Sequence, residues 1–133
     1  EAKTRNCTVV FTAPQAVPFS GSRELLARAL ENVIRNAVSY TRDHSCVTVD
    51  LQRAGKSLMV RIADQGPGVP DESLGRLFEP FYRVADARDR QSGGTGIGLA
   101  IADRAVRLHG GTIRASNREQ GGLLVEIVLP APA

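Results

Sequence analysis

Gly93-Gly94-Thr95-Gly96-Ile97-Gly98-Leu99-Ala100-Ile101 carries glycine at every second position from Gly94 to Gly98 and runs directly into an apolar helical pattern. Such a stretch supplies backbone that a ligand can approach closely. It then supplies a helix N-terminus whose free N–H groups and dipole attract anions. No Gly-Lys-Ser/Thr follows, which excludes a phosphate loop of the Walker A kind. The Gly-x-Gly-x-Gly spacing and the charged residues before it exclude the dinucleotide fingerprint. A glycine hinge ahead of a core helix has the same local sequence, so its meaning depends on the rest of the chain.

Downstream, residues 97–108 read as a helix with Ile97, Ala100, Ile101, Ala105 and Leu108 on its apolar side. His109-Gly110-Gly111 ends it, and strands follow at about Thr112–Ser116 and Leu123–Leu129. Upstream, residues 80–92 are charged and aperiodic, preceded by a short helix at about Asp71–Leu77. Leu58, Val60 and Ile62 alternate along one strand. Val47, Val49 and Leu51 alternate along another within Cys46–Arg53, with a turn at Ala54-Gly55-Lys56 between the two. Ser22 is a candidate N-cap for a helix reaching about Tyr40. Leu25, Leu26, Ala29, Leu30, Val33, Ile34, Ala37 and Val38 make one broad apolar stripe on it. Cys7–Ala13 reads as a strand and Ala16–Phe19 as a second, short one. Helices segregated from an antiparallel or mixed sheet make an α+β sandwich.

The 133 residues form a single domain, with 42% hydrophobic and 23% charged content, as in ordinary soluble proteins. The net charge of +3 is dispersed without a run of Lys or Arg, so no nucleic-acid footprint is present. Cys7 and Cys46 lack metal-ligand spacing and are too few for a disulfide framework, so they read as reduced, partly buried thiols. No apolar run reaches membrane-spanning length, and no signal peptide is present. The chain opens on Glu1-Ala2-Lys3-Thr4 without an initiator Met and reads as a piece of a longer protein.

Three further clusters could carry chemistry. Asp64 is the next same-face position after Leu58, Val60 and Ile62, so period-2 alternation aims its carboxylate at the core side. A carboxylate there must meet a hydrogen-bond donor, and the amine of a ligand such as adenine is one; an Asx-turn at a strand end is the other reading. Asn32 and Asn36 stand one helical turn apart, off the apolar stripe, with Tyr40 a turn further on. An Asn carbonyl can complete a Mg²⁺ shell otherwise made by phosphates and water, although solvated surface also accommodates such residues. Phe78, Phe81 and Tyr82 are half of the six Phe and Tyr residues of the chain and flank Glu79-Pro80. They fit a satellite hydrophobic cluster, or an aromatic hold for a mobile lid or a partner surface. Arg83, Arg88 and Arg90 add phosphate donors beside Asp86 and Asp89, or simply a solvated loop.

Taken in order, these motifs resemble the ATP-binding catalytic domain of bacterial sensor histidine kinases. The N box is Glu31-Asn32-Val33-Ile34-Arg35-Asn36-Ala37 with Tyr40, and the first glycine box is Asp64-Gln65-Gly66-Pro67-Gly68. The F box is Phe78-Glu79-Pro80-Phe81-Tyr82-Arg83, and the second glycine box is Gly94-Thr95-Gly96-Ile97-Gly98-Leu99. Gly121-Gly122 before the last strand is similar to the third glycine box. Residues 81–101 and 121–130 look most like the Cpx-type envelope-stress kinases of Gram-negative bacteria.

The resemblance implies a Bergerat-type two-layer α/β sandwich, shared with gyrase, Hsp90 and MutL ATPases, with a mixed, mostly antiparallel sheet against about three helices. It implies ATP and Mg²⁺ as ligands. Asp64 would accept from the adenine amine, Asn36 would bind Mg²⁺, and Asn32 would support the triphosphate. Tyr40, Gly66, Gly68, Arg83, Gly94, Thr95, Gly96, Ile97, Gly98 and Leu99 would complete the nucleotide site, with residues 80–93 as its lid. Its partners would be the His-containing dimerisation domain of the homodimeric parent kinase and a cognate response regulator, but no nucleic acid. The membrane would be met only through segments outside this chain, which would be the cytoplasmic portion of an inner-membrane protein.

Two positions depart from the family pattern: Ser39 stands where Lys or Arg usually precedes the N-box Tyr, and Leu123 stands where Thr often follows the last glycine box. Phosphate neutralisation then falls to Arg35 or to the lid arginines. Related hydrolytic ATPases place a Glu one turn before the Mg²⁺-binding Asn to activate water. Here Asn32 occupies that position, and Glu31 is rotated about 100° from it. An amide cannot act as a general base, so the residues favour presentation of the γ-phosphate to a protein nucleophile. The alternatives are a water-directed ATPase of the gyrase/MutL type and a non-catalytic regulatory module docking through Phe78, Phe81 and Tyr82. The phosphoacceptor histidine is expected elsewhere, since neither His44 nor His109 lies in such a context.

Overall fold

The structure, a computed structural model, describes residues 7–12, 23–82 and 98–130. Strand β1 (Thr8–Thr12) is followed by helix α1 (Arg23–Tyr40), and strands β2 (Cys46–Ala54) and β3 (Ser57–Ala63) form a hairpin. A 3₁₀ helix (Asp71–Arg76), helix α2 (Gly98–Leu108) and the strands β4 (Thr112–Asn117) and β5 (Leu123–Pro130) complete the order. The sheet runs β1-β2-β3-β5-β4; β1 is parallel to β2 and every other pairing is antiparallel. A parallel neighbour requires a crossover, and α1 lies within the one joining β1 to β2.

The alternation read from the sequence gives the sheet one dry face. Val47 and Val49 on β2, Leu58, Val60 and Ile62 on β3, Ile113 on β4, and Leu123, Val125, Ile127 and Leu129 on β5 are all buried there. Leu26, Ala29, Val33, Ala37 and Val38 of α1 and Ala102, Ala105 and Val106 of α2 complete this core. On the opposite face, a single register joins Asp50, Arg61, Glu126 and Arg114 across four strands. Charges alternate along that row, and Arg61 Nε meets Glu126 Oε2 at 3.0 Å. Cross-strand pairs of opposite charge suit a solvated face.

Several expectations change. Ala105 is buried as read, but Ile101 and Leu108 are 47% and 64% exposed, and Ala102 and Val106 join Ala105 on the buried face of α2. The inward stripe is therefore shifted by one position, because small alanines let α2 come close to α1 and the sheet, and bulk alone misplaces the phase. Leu25, at the first turn of α1, is exposed rather than part of its stripe. Cys46 is exposed and Cys7 half-buried; both are free. The short strand expected at Ala16–Phe19, the Ser22 cap and Ile97 lie outside the described residues.

Candidate nucleotide site

Asp64 immediately follows β3 and keeps the inward face of Leu58, Val60 and Ile62; it is 3% exposed. Its N–H donates to Leu123 O at 3.0 Å, one step past the β3–β5 pairing. Oδ1 accepts from the N–H groups of Gly66 at 2.9 Å and Leu123 at 3.1 Å. Among the described residues no hydrogen bond reaches Oδ2. Burial pushes the carboxyl above the usual carboxylate range; the two N–H donors and the nearby Arg118 charge act against that rise.

The backbone around this carboxylate is too close for side chains. A Cβ on Gly66 would stand 2.2 Å from Tyr40 O, and one on Gly122 would stand 2.0 Å from Asp64 O. Gly122 also has φ +100°, where L side chains are strained. These glycines bring the end of α1 and the β4–β5 turn onto the Asp64 loop.

Gln65 ties the same loop to the end of α1. Its N–H donates to the fully buried Thr41 Oγ1 at 2.9 Å, and its carbonyl accepts from Arg42 Nε at 2.9 Å. Its Oε1 accepts from Cys46 N–H at 2.8 Å, and the Thr41 and Ser45 hydroxyls share a bond of 2.8 Å. Tyr40 is thus held at the loop by its chain neighbour. Gly68 sits against Asn117, whose Oδ1 would be 2.5 Å from an added Cβ.

Asn32 and Asn36 are half-buried on α1, and neither amide makes a hydrogen bond among the described residues. A Cβ on Gly98, the first residue of α2, would lie 3.7 Å from Asn32 Oδ1. Gly98, the last glycine of the second glycine box, therefore meets Asn32 of the N box where α2 begins. Leu99 lies in the first turn of α2 and packs on the core. Ser39 Oγ donates to Arg35 O within α1 at 3.0 Å, and Glu31 is exposed.

The aromatic cluster divides. Phe78 packs on the core, and Tyr82 OH is 2.7 Å from the buried Ser73 hydroxyl under the Arg76 guanidinium. Phe81 is 71% exposed with φ +67°. Arg83, Gly94, Thr95, Gly96, Ile97 and most of the expected lid lie outside the described residues. The sequence reading missed Thr41, Asn117 and Arg118. Their only one-dimensional signal is adjacency to the N-box Tyr and to Gly121-Gly122.

A family model described as histidine kinase-, DNA gyrase B-, and HSP90-like ATPase matches residues 21–133. The chain belongs to this ATPase family. Within it, the sensor histidine kinase CpxA of Escherichia coli K12 is 40% identical over 130 residues, covering 98% of this chain and 28% of that protein. The chain thus spans about a quarter of the length of this curated relative. Its structure is similar to that of the mycobacterial sensor histidine kinase MprB, with TM-score 0.84, 32% identity, and coverage of 98% of this chain and 88% of that one. It is also similar to full-length ShkA, solved in complex with AMPPNP, with TM-score 0.81, 25% identity, and coverage of 99% of this chain and 27% of that one. The sandwich is that of the histidine kinase catalytic domains of this family. No helix among the described residues is long and apolar enough to cross a membrane.

Proposed function

We propose that this chain binds Mg²⁺-ATP and transfers the γ-phosphoryl group to a histidine on the dimerisation domain of a parent sensor kinase. The observation that carries this reading is Asp64. A carboxylate on a dry sheet face, with one oxygen held by two N–H groups and the other without a described hydrogen bond, suits an amine donor such as that of adenine. Guanine presents a carbonyl oxygen there, and two acceptors facing one another in a poorly solvated slot are disfavoured.

The residues present fit the metal and the triphosphate. Asn36 offers a neutral carbonyl oxygen of the kind that completes a Mg²⁺ shell, and Asn32 stands beside the α2 N-terminus. Mg²⁺ supplies charge neutralisation on the phosphate oxygens. Asn32 cannot take a proton from water, and Glu31 is exposed one residue away on another side of α1. The machinery therefore orients the phosphate for attack by a protein nucleophile: the bond to the ADP oxygen breaks as the bond to the histidine nitrogen forms. In the parent protein this domain would lie on the cytoplasmic side of the inner membrane and serve a response regulator. The reading of Arg83, Gly94–Ile97 and residues 80–93 as phosphate donors and lid is part of the same proposal.

Calorimetric titration with ATP and GTP, with and without Mg²⁺, tests it. Adenine preference and Mg²⁺-strengthened binding are expected, with transfer of label to a histidine-containing dimerisation segment supplied in trans. Hydrolysis approaching ~1 s⁻¹, the low end of typical enzymes, would instead favour a water-directed ATPase.

A further inference from the structure

The last residue of β4 and the one after it, Asn117 and Arg118, hold the two ends of the Asp64 loop. Arg118 Nη1 donates to Asp64 O at 2.6 Å and reaches Gly121 O at 3.4 Å. Its own turn is closed by Arg118 N–H to Gly122 O at 2.8 Å and Gly121 N–H to Arg118 O at 3.1 Å. Asn117 receives Val69 N–H on Oδ1 at 3.0 Å and donates from Nδ2 to Val69 O at 2.7 Å, pairing with that residue as a neighbouring strand would. A further contact reaches Asp71 Oδ1 at 3.3 Å.

We infer that the end of β4 is a clasp on the base-reading carboxylate, in which Arg118 is a positioning residue that sets base selectivity. This rests on the reading of Asp64 as the acceptor for adenine. Between the two held ends lie Gln65, tied to the end of α1 through Thr41 and Arg42, and Gly66-Pro67-Gly68, whose glycines accept backbone conformations closed to other residues. Asp64 is the point at which β3 leaves the sheet: its N–H is still paired with β5, and its carbonyl is taken by Arg118. Rotation of the Asp64–Gln65 peptide would carry away the Gly66 N–H that holds Oδ1, and the Arg118 donor on its carbonyl and Thr41 Oγ1 on its N–H oppose that rotation from opposite sides. Both contacts come from Nη1, whose two N–H groups can serve the carbonyls of Asp64 and Gly121, and the planar guanidinium pre-sets their directions. A lysine ammonium has donors enough for both, but it must order a flexible stem to reach them.

The test titrates the domain and its Arg118→Met, Arg118→Lys and Asp64→Asn variants with ATP and with GTP, alongside thermal melting. Arg118→Met is expected to lower ATP affinity roughly tenfold, the order of one hydrogen bond to a charged group. GTP affinity should change little, so the ATP/GTP ratio narrows, and Arg118→Lys should restore part of it. An equal loss for both nucleotides together with a lowered melting temperature, or no change in the ratio, overturns the inference. Should Arg118→Met fail to fold, Arg118→Lys decides alone: a narrowed ratio with intact melting supports the clasp, and an unchanged ratio rejects it. An unchanged ratio in Asp64→Asn, by contrast, removes the base reading by Asp64 and the clasp with it. An effect there but none in either Arg118 variant removes the clasp alone.

Discussion

At the sheet end of the site, Asp64 is buried at the edge of a dry face, two N–H groups share one of its oxygens, and Arg118 holds its carbonyl. At the helix end, Asn32 and Asn36 are half-buried and their amides have no hydrogen bond among the described residues. The first end is organised by the fold before any ligand arrives. On the proposed reading, the second offers acceptors and a helix terminus whose partners would come with phosphate and metal. Base recognition depends on rejecting a wrong donor pattern, which only rigid, desolvated groups do well. Phosphate recognition draws more on charge, and a Coulomb attraction falls off more gradually with distance than a hydrogen bond.

The largest effect expected from this contrast is at Gly122. An alanine there meets Asp64 O at 2.0 Å from a strained backbone, and should cost ~2 kcal/mol or more of stability and abolish measurable ATP binding. Gly75→Ala, where a Cβ meets nothing within 4 Å, should stay within about 0.5 kcal/mol. Chemical denaturation of both variants compares them, and equal losses would mean that the sheet end is not tightly built.

At the helix end, Asn36→Ala should weaken Mg²⁺-ATP binding about tenfold, the order of one hydrogen bond to a charged group. Metal-free ATP binding and melting temperature should change little. Equal loss with and without Mg²⁺ would show that this end is also structural.

The smallest effect concerns the cost of burying Asp64. Its folded-state pKa is raised by burial, so the ionised carboxylate opposes folding above that pKa and the cost disappears as pH falls through it. Asp64→Asn should therefore melt at or slightly above the unmutated domain near neutral pH. The gap should close on acidification through the raised pKa, while ATP binding by the unmutated domain falls over the same window. A deficit in Asp64→Asn that is independent of pH would mean that the charge carries no folding cost.

Much of the sheet end is legible in one dimension because strand alternation has a period of two residues. Leu58, Val60, Ile62 and Asp64 follow one rule, and a carboxylate is conspicuous where the rule demands an apolar residue. The spacing of Asn32, Asn36 and Tyr40 on α1 was legible for the same kind of reason. The phase of α2 was not. Ile101 and Leu108 look like core by bulk, yet Ala102 and Val106 join Ala105 on the inward side. Which side of a helix with apolar residues on several sides is buried depends on how closely its neighbours approach.

The amino-acid sequence by itself determined the α+β class, the order of the elements, the inward Asp64 and the glycines beside it, since each follows from local periodicity and backbone freedom. The insertion of β5 between β3 and β4, the meeting of Gly98 with Asn32 and the grip of Arg118 on Asp64 O were decided only by the tertiary structure. Arg118 stands 54 residues from Asp64, and no local pattern specifies a hydrogen bond that exists only once the sheet has closed between them.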